Sequence, residues 1–257
     1  MVLISFIAFL LLFVLIGVLS VKKRKKNSQD YLLAGQSVKP WLVALSAVAT
    51  NNSGYMFIGQ IGFTYLYGLQ SIWLMVGWIL GDFFTSFFVH KNLRIQTEKQ
   101  KSLSFSDVIS RWHGAHFKYL SVLSALITLV FLGVYAAAQL KAGSKALHVL
   151  FDWNLEIGAV IGAVIVVLYC FAGGIRASIW TDVAQSFVML FAMIVMLIFG
   201  VMEVGGLSSL FVQLTDISPT YMNWFAQTHP WGDFFGPIVF VIGWFFAGVG
   251  VIGQPHI

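Results

Sequence analysis

The chain has 257 residues, of which 59% are hydrophobic and 10% charged, with a mean hydropathy of +0.86. Soluble domains carry about 25% charged residues, so this composition excludes an ordinary water-soluble domain and indicates a membrane protein. The single cysteine, Cys170, rules out a disulfide within the chain, and the net charge of +5 acquires its meaning from where the charges lie.

Seven apolar segments are expected to span a bilayer, each needing about 20 residues: Val2–Ser20, Pro40–Tyr65, Leu69–Val89, Tyr119–Leu140, Ile157–Ala172, Trp180–Val204 and Phe234–Ile252. The first has no Lys or Arg before it and "VKKRKK" after it. A signal peptide has the opposite order, so the segment is an anchor with its N-terminus outside. Under that topology, residues 22–26, Lys39, the basic residues between Lys91 and Lys118, and Arg176 face the inside. Only Lys141 and Lys145 face out, and the outer loop 205–232 has no Lys or Arg. This is the positive-inside pattern, and it accounts for the basic run without nucleic acid. Anionic membrane lipids are the partner such a run meets.

The second span carries "ATNNSG" from Ala49 to Gly54. Asn and Ser compete for backbone hydrogen bonds, and Gly costs about 1 kcal/mol against Ala in a helix. Irregular backbone survives at membrane depth only inside protein or beside a cavity. The segment is therefore a candidate for local unwinding, where freed carbonyls and Ser, Thr and Asn oxygens suit a sodium ion. A tightly packed helix contact, where small and polar residues also gather, is the alternative.

Asp82 follows Gly81 in the third span, where it could face the bundle. The connection 90–118 is too polar to span, and its "SLSFSDVISRW" suggests an interfacial helix. There Ser104 can cap, Asp107 follows three residues later, and Phe105, Val108, Ile109 and Trp112 share a face. His113 and His116 lack a Cys, Asp or Glu partner at ligand spacing for a metal site. In the fourth span, Tyr135 and Gln139 stand one turn apart, where they could line a cavity or join helices.

In "FAGGIRASIWTDVAQSF", Gly173 and Gly174 end the fifth span, Arg176 marks an inner turn, and Ser178 or Trp180 begins the sixth. Asp182 then lies about one turn inside, with Thr181 and Gln185 beside it. An intramembrane carboxylate is a functional candidate by default. An anion near a helix N-terminus, favoured by the macrodipole, is the competing explanation. The loop 205–232 reads as short interfacial helices whose Trp and Tyr anchor at the headgroups. "GWFFAGVGVIGQPHI" closes the chain as another poor helix and would be a second interrupted span. Paired interrupted helices are the best sequence pointer to a transporter site. The chain shows no P-loop, nucleophile–base pair or cofactor fingerprint, so no enzymatic activity is expected.

The stretches "DYLLAG" (Asp30–Gly35), "LSAVATNNSG" (Leu45–Gly54), "GGIRASIWTDVAQ" (Gly173–Gln185) and "GQPHI" (Gly253–Ile257) resemble the sodium:solute symporter family, nearest its sodium/proline branch. The likeness runs in order from about Asp30 to the last residue. It implies an all-α polytopic membrane protein with a leucine-transporter-like core: two inverted repeats of five helices each, preceded by one extra helix. On that pattern the chain is a single transmembrane domain. Residues 1–39 would hold the extra helix and basic loop, 40–204 the first repeat, 205–232 an outer loop and 233–257 the start of the second repeat. The chain would stop after seven spans, and its missing partner would be the C-terminal half of the same protein.

The resemblance also implies a sodium-coupled symporter of a small organic solute, first of all an amino acid such as proline, in the plasma (inner) membrane. Ala49 and Asn52 would offer carbonyls to sodium, and Asp182 would stand on the ion's inward path. Asn51 and Ser53 would face the solute or support the ion, and Tyr55, Tyr135 and Gln254 would belong to the solute side. Proline-type members carry Asp at the position of Asn51, and sugar-type members Asn. A symporter-like sensor domain of a histidine kinase and an inactive fragment are the alternative functions.

Overall fold

The computed structural model describes residues 1–22, 27–51, 54–112, 114–225 and 232–253. All seven expected spans fall on helical segments, and four described helices are long and apolar enough to cross a membrane. These are Val2–Val21, Ile58–Gln100, Lys118–Phe151 and Gly173–Glu203, while the bent pair Ser28–Gln36 and Pro40–Asn51 passes the same test jointly. The basic run at 23–26, Asn52, Ser53, His113 and Gln254 lie outside the described residues.

Contacts gather into two units, Met1–Tyr55 with Gln100–Leu190, and Met56–Lys99 with Phe191–Ile257. In the first, helix α1 (Val2–Val21) is apolar all round and buries only Gly17 and Ser20. A Cβ on Gly173 would lie 2.9 Å from Ser20 Oγ, so this end of α1 meets α9 through small residues, while Phe6 near its start packs on Phe151 and Trp153. Helix α2 (Ser28–Leu33) starts where the Asn27 side chain accepts the Asp30 N–H at 2.6 Å. Positive φ at Ala34, Gly35 and Gln36 then turns the chain by 108° into α3 (Pro40–Asn51). Pro40 suits the first turn of α3, where its missing N–H has no partner to lose.

The connection 90–118 holds the expected short helix in a shorter form, and a second, polar helix precedes it. Helix α5 (Ile72–Thr85) runs through a π-helical stretch, Ser86–His90, into the polar helix α6 (Lys91–Gln100). Ser104 does cap α7 (Phe105–Ile109), accepting the Asp107 N–H at 3.2 Å. That helix stops at Ile109, because Arg111–Trp112 (β1) pairs antiparallel with Ala115–His116 (β2). Trp112 is therefore off the helical face. Asp107 accepts Arg111 Nε at 3.0 Å and Nη2 at 3.2 Å, and this guanidinium holds its carboxyl below its ordinary value.

Helix α8 (Lys118–Phe151) outruns the expected span by about three turns and ends at Asp152 in the left-handed region. Helix α9 (Leu155–Glu203) holds both the fifth and sixth spans. The two are separated by a kink at Gly174 alone (φ 61°, ψ −153°) rather than by a turn through Arg176. A Cβ at Gly174 would fall 2.9 Å from the Tyr31 ring, so only glycine serves there. Ser144 donates to the Leu155 carbonyl and closes α8 onto α9.

In the second unit, a π-helical stretch Met56–Gln60 leads into α4 (Ile61–Tyr67), and a 3-10 turn Gly68–Ser71 leads on into α5. Helix α11 (Gly232–Val249) packs along α5. Gly77 and Gly81, a small-xxx-small pair, let the backbones close up. A Cβ on Gly77 would meet Trp244 Cβ at 2.8 Å, and one on Gly81 would strike the Phe245 carbonyl. From the other side, Gly248 faces the Trp78 carbonyl in the same way. After Val249 the helix tightens to a 3-10 turn, Gly250–Gly253, at the place where a second interruption was expected.

The loop 205–232 holds α10 (Leu207–Ile217), and its aromatic residues bond to neighbouring helices. Tyr221 Oη donates to the Thr64 carbonyl at 3.1 Å, and Leu69 N–H donates to the Tyr221 carbonyl at 2.9 Å. Trp73 Nε1 donates to the Trp224 carbonyl at 2.9 Å.

Candidate functional site

The buried residues of this chain are mostly small or polar, among them Ser20, Ser46, Ser110, Ser144, Thr181 and Ser186, while Leu, Ile and Phe side chains crowd the outside. That inversion suits a solvent of lipid tails, in which polar groups must find partners within the protein. The densest set of such partners in the first unit joins α3 to α9.

Asp182 lies in α9 about two turns beyond the Gly174 kink, deeper than the one turn expected, because the helix resumes at once after Gly174. Its Oδ2 accepts the Ser46 hydroxyl of α3 at 2.7 Å and the Ser178 hydroxyl, one turn earlier on α9, at 3.4 Å. Ser186, one turn later, donates to the Leu45 carbonyl at 3.1 Å. Thr50 Oγ1 returns to the Ser46 carbonyl at 2.9 Å, and Thr181 Oγ1 to the carbonyls of Ala177 and Ser178 at 3.0 and 2.8 Å. These two threonines satisfy the backbone of their own helices, leaving Ser46 and Ser186 to tie the two helices together, while Ser178 braces Asp182 from within α9. A carboxyl group, two hydroxyls and nearby carbonyls are hard oxygen donors, the type that holds a small monovalent cation.

Of the other expected site residues, Ala49 and Asn51 lie in the last turn of α3, half-buried. Asn52, Ser53 and Gln254 fall outside the described residues. Tyr55 is 43% exposed. Tyr135 is half-buried on α8, one turn before Gln139. Gln139 joins helices: its Oε1 accepts the Gly54 N–H at 2.6 Å. Asp82, in the second unit, accepts the Ser86 hydroxyl of its own helix at 3.0 Å. Among the described residues no group of three or more His, Cys, Asp or Glu side chains could hold a metal ion, so a sodium site here would rest on single oxygens.

Sequence reasoning passed over Ser46, although a polar stripe at Ser46 and Thr50 was visible on the apolar α3, as was one at Ser178, Asp182 and Ser186 on α9. It also read Arg176 as the mark of an inner turn and gave it no partner. The structure buries Arg176 instead, with Nη2 donating to Asp30 Oδ1 at 2.6 Å and to the Ala34 carbonyl at 2.7 Å. No local pattern announces a pair 146 residues apart.

The sodium:solute symporter family model matches residues 31–257. Sodium/proline symporter 2 of Staphylococcus saprophyticus is 32% identical over 255 residues, covering 99% of this chain and 48% of that protein. The sodium/proline symporter of Escherichia coli strain K12 is 31% identical over 256 residues, covering 99% of this chain and 49% of that one. The chain thus spans about half the length of the curated relatives it matches. A solved structure of a Na+-coupled sialic acid symporter, in a substrate-bound outward-open state, superimposes with a TM-score of 0.76. It is 21% identical and covers 94% of this chain and 48% of its own. That likeness carries the fold: a leucine-transporter-like, all-α polytopic membrane architecture.

Proposed function

Because the chain belongs to the sodium:solute symporter family, we propose that it carries part of the ion and solute site of a secondary transporter that moves a small organic solute with sodium. The observation that carries this reading is Asp182, a carboxylate held within an apolar helix by hydroxyls from two helix segments. Keeping an acid at that depth is costly, and function is the usual reason for it. In this reading Ala49 and Asn52 lend carbonyls to sodium, and Asp182 receives the ion on its way inward. Asn51, Ser53, Tyr55, Tyr135 and Gln254 shape the solute side. Residues 40–204 form the first five-helix repeat, and 233–257 begin the second. An amino acid such as proline is the first solute to try, a choice supported by the names of the relatives called sodium/proline symporters. The distribution of Lys and Arg supports a plasma-membrane protein with its N-terminus outside.

The test is uptake into vesicles carrying the protein, driven by an imposed sodium gradient, with proline and a panel of small amino acids and sugars. Uptake should collapse when potassium replaces sodium. In Asp182→Ala the sodium concentration for half-maximal uptake should rise about tenfold or more, the size of a lost charge-assisted contact. Insertion of the variant in the membrane should remain near normal. Uptake indifferent to sodium overturns the coupling, and failure of Asp182→Ala to insert assigns the residue a structural part instead.

A further inference from the structure

Beyond the sodium and solute ligands, the backbone at Gly54 has a partner outside its own helix. In an uninterrupted α-helix the Gly54 N–H is committed to the Thr50 carbonyl four residues back. Here Gln139, on α8, reaches across and accepts that N–H on Oε1 at 2.6 Å. Because Gly54 N–H can only donate, the carboxamide must face it with its oxygen. The contact is fitted closely. A Cβ on Gly54 would stand 2.9 Å from Gln139 Oε1 and 2.8 Å from the Ala142 Cβ, so only glycine admits α8 to this depth. A few residues on, Met56–Gln60 continues as a π-helix rather than an α-helix. Such π-helical turns mark a local departure from the regular ladder and are frequent at functional sites.

Gln139 is therefore an intrahelical residue of α8 whose polar end serves another helix's backbone. The i, i+4 spacing puts Tyr135 on the same face of α8. We propose that Gln139 is a positioning residue: its carboxamide oxygen pins the backbone of the first core helix at Gly54 and so fixes the course of the chain there. The proposal rests on the functional reading above for its consequence in transport. Its structural part, the pinning of Gly54, stands independently.

Gln139→Met keeps the length and apolar volume of the arm and removes the acceptor, whereas Gln139→Glu keeps an acceptor oxygen at the same reach. Amide hydrogen exchange is followed in the membrane-embedded protein for peptides covering 47–60, with 118–134 as an internal control. Gln139→Met should speed exchange in 47–60 by about fivefold, as for one lost hydrogen bond, and leave 118–134 unchanged. Gln139→Glu should restore protection. In sodium-driven uptake, Gln139→Met should raise the sodium requirement, and Gln139→Glu should recover it. Should Gln139→Met not insert, Gln139→Asn, which draws the amide back by one methylene, carries the same expectation. Unchanged exchange at 47–60 in the acceptor-less variant overturns the proposal, as does a Gln139→Glu protein that behaves like Gln139→Met. Normal pinning together with sodium-independent uptake would instead remove the functional reading and leave Gln139 as a structural clamp.

Discussion

Ser46, unremarkable in isolation, becomes a unit with Asp182. A serine in an apolar helix ordinarily turns its hydroxyl back to the carbonyl one turn earlier, as Thr50 does here. Ser46 instead donates to Asp182 Oδ2 at 2.7 Å, and is 8% exposed. A hydrogen bond to a charged acceptor is worth about 1.5–3 kcal/mol, roughly twice a neutral one. Ser46→Ala should therefore raise the sodium concentration for half-maximal uptake about tenfold, with little change in solute affinity at saturating sodium. Ser46→Thr keeps the hydroxyl and should stay near wild type. Equal losses in both parameters, with Ser46→Thr no better than Ser46→Ala, would mean that Ser46 only packs.

At the scale of elements, glycine decides which helices touch. Between α5 and α11, Gly77, Gly81 and Gly248 each face backbone or Cβ atoms of the opposite helix. Lipid tails are as apolar as these helices, so close packing has to supply the attraction that water supplies in soluble cores. Gly81→Val would force its side chain into the Phe245 carbonyl and part the pair. Overpacking of this kind costs about 1–3 kcal/mol. Thermal unfolding in detergent should show a lowered midpoint for Gly81→Val, while Gly62→Ala, where nothing lies within 4 Å, should leave it unchanged. The Gly77–Gly81 spacing was in plain view in the sequence; which helix it would meet was not.

At the scale of the whole chain, the Asp30–Arg176 pair ties the N-terminal segment to the kink of α9. Arg176 Nη2 serves Asp30 and the Ala34 carbonyl together, and Ser37 Oγ lies 3.4 Å from Nη1. Both side chains are buried, at 9% and 2% exposed. A buried pair is expensive to desolvate, yet removing one partner strands the other at a cost of about 3–5 kcal/mol. Arg176→Met and Asp30→Leu should each lower the unfolding midpoint sharply. The double variant should regain most of the loss, because no charge is then stranded. A double variant as unstable as the two losses added would show that the pair acts through separate neighbours.

Composition and the placement of Lys and Arg alone settled that this is a multi-pass helical membrane protein, because the hydrocarbon core admits about 20 apolar residues per crossing and excludes charge. The specific run "GGIRASIWTDVAQ" was enough to place the family, and the intramembrane Asp182 was legible as a polar residue out of place. The depth of Asp182, its serine partners, the burial of Arg176 and the hold of Gln139 on Gly54 came only with the tertiary structure. The contacts of Ser46 with Asp182, of Arg176 with Asp30 and of Gln139 with Gly54 join residues 85 to 146 positions apart. Helical periodicity and hydropathy report a residue's own turn and its exposure to lipid, whereas which distant backbone or side chain completes a polar group is decided by how the helices pack.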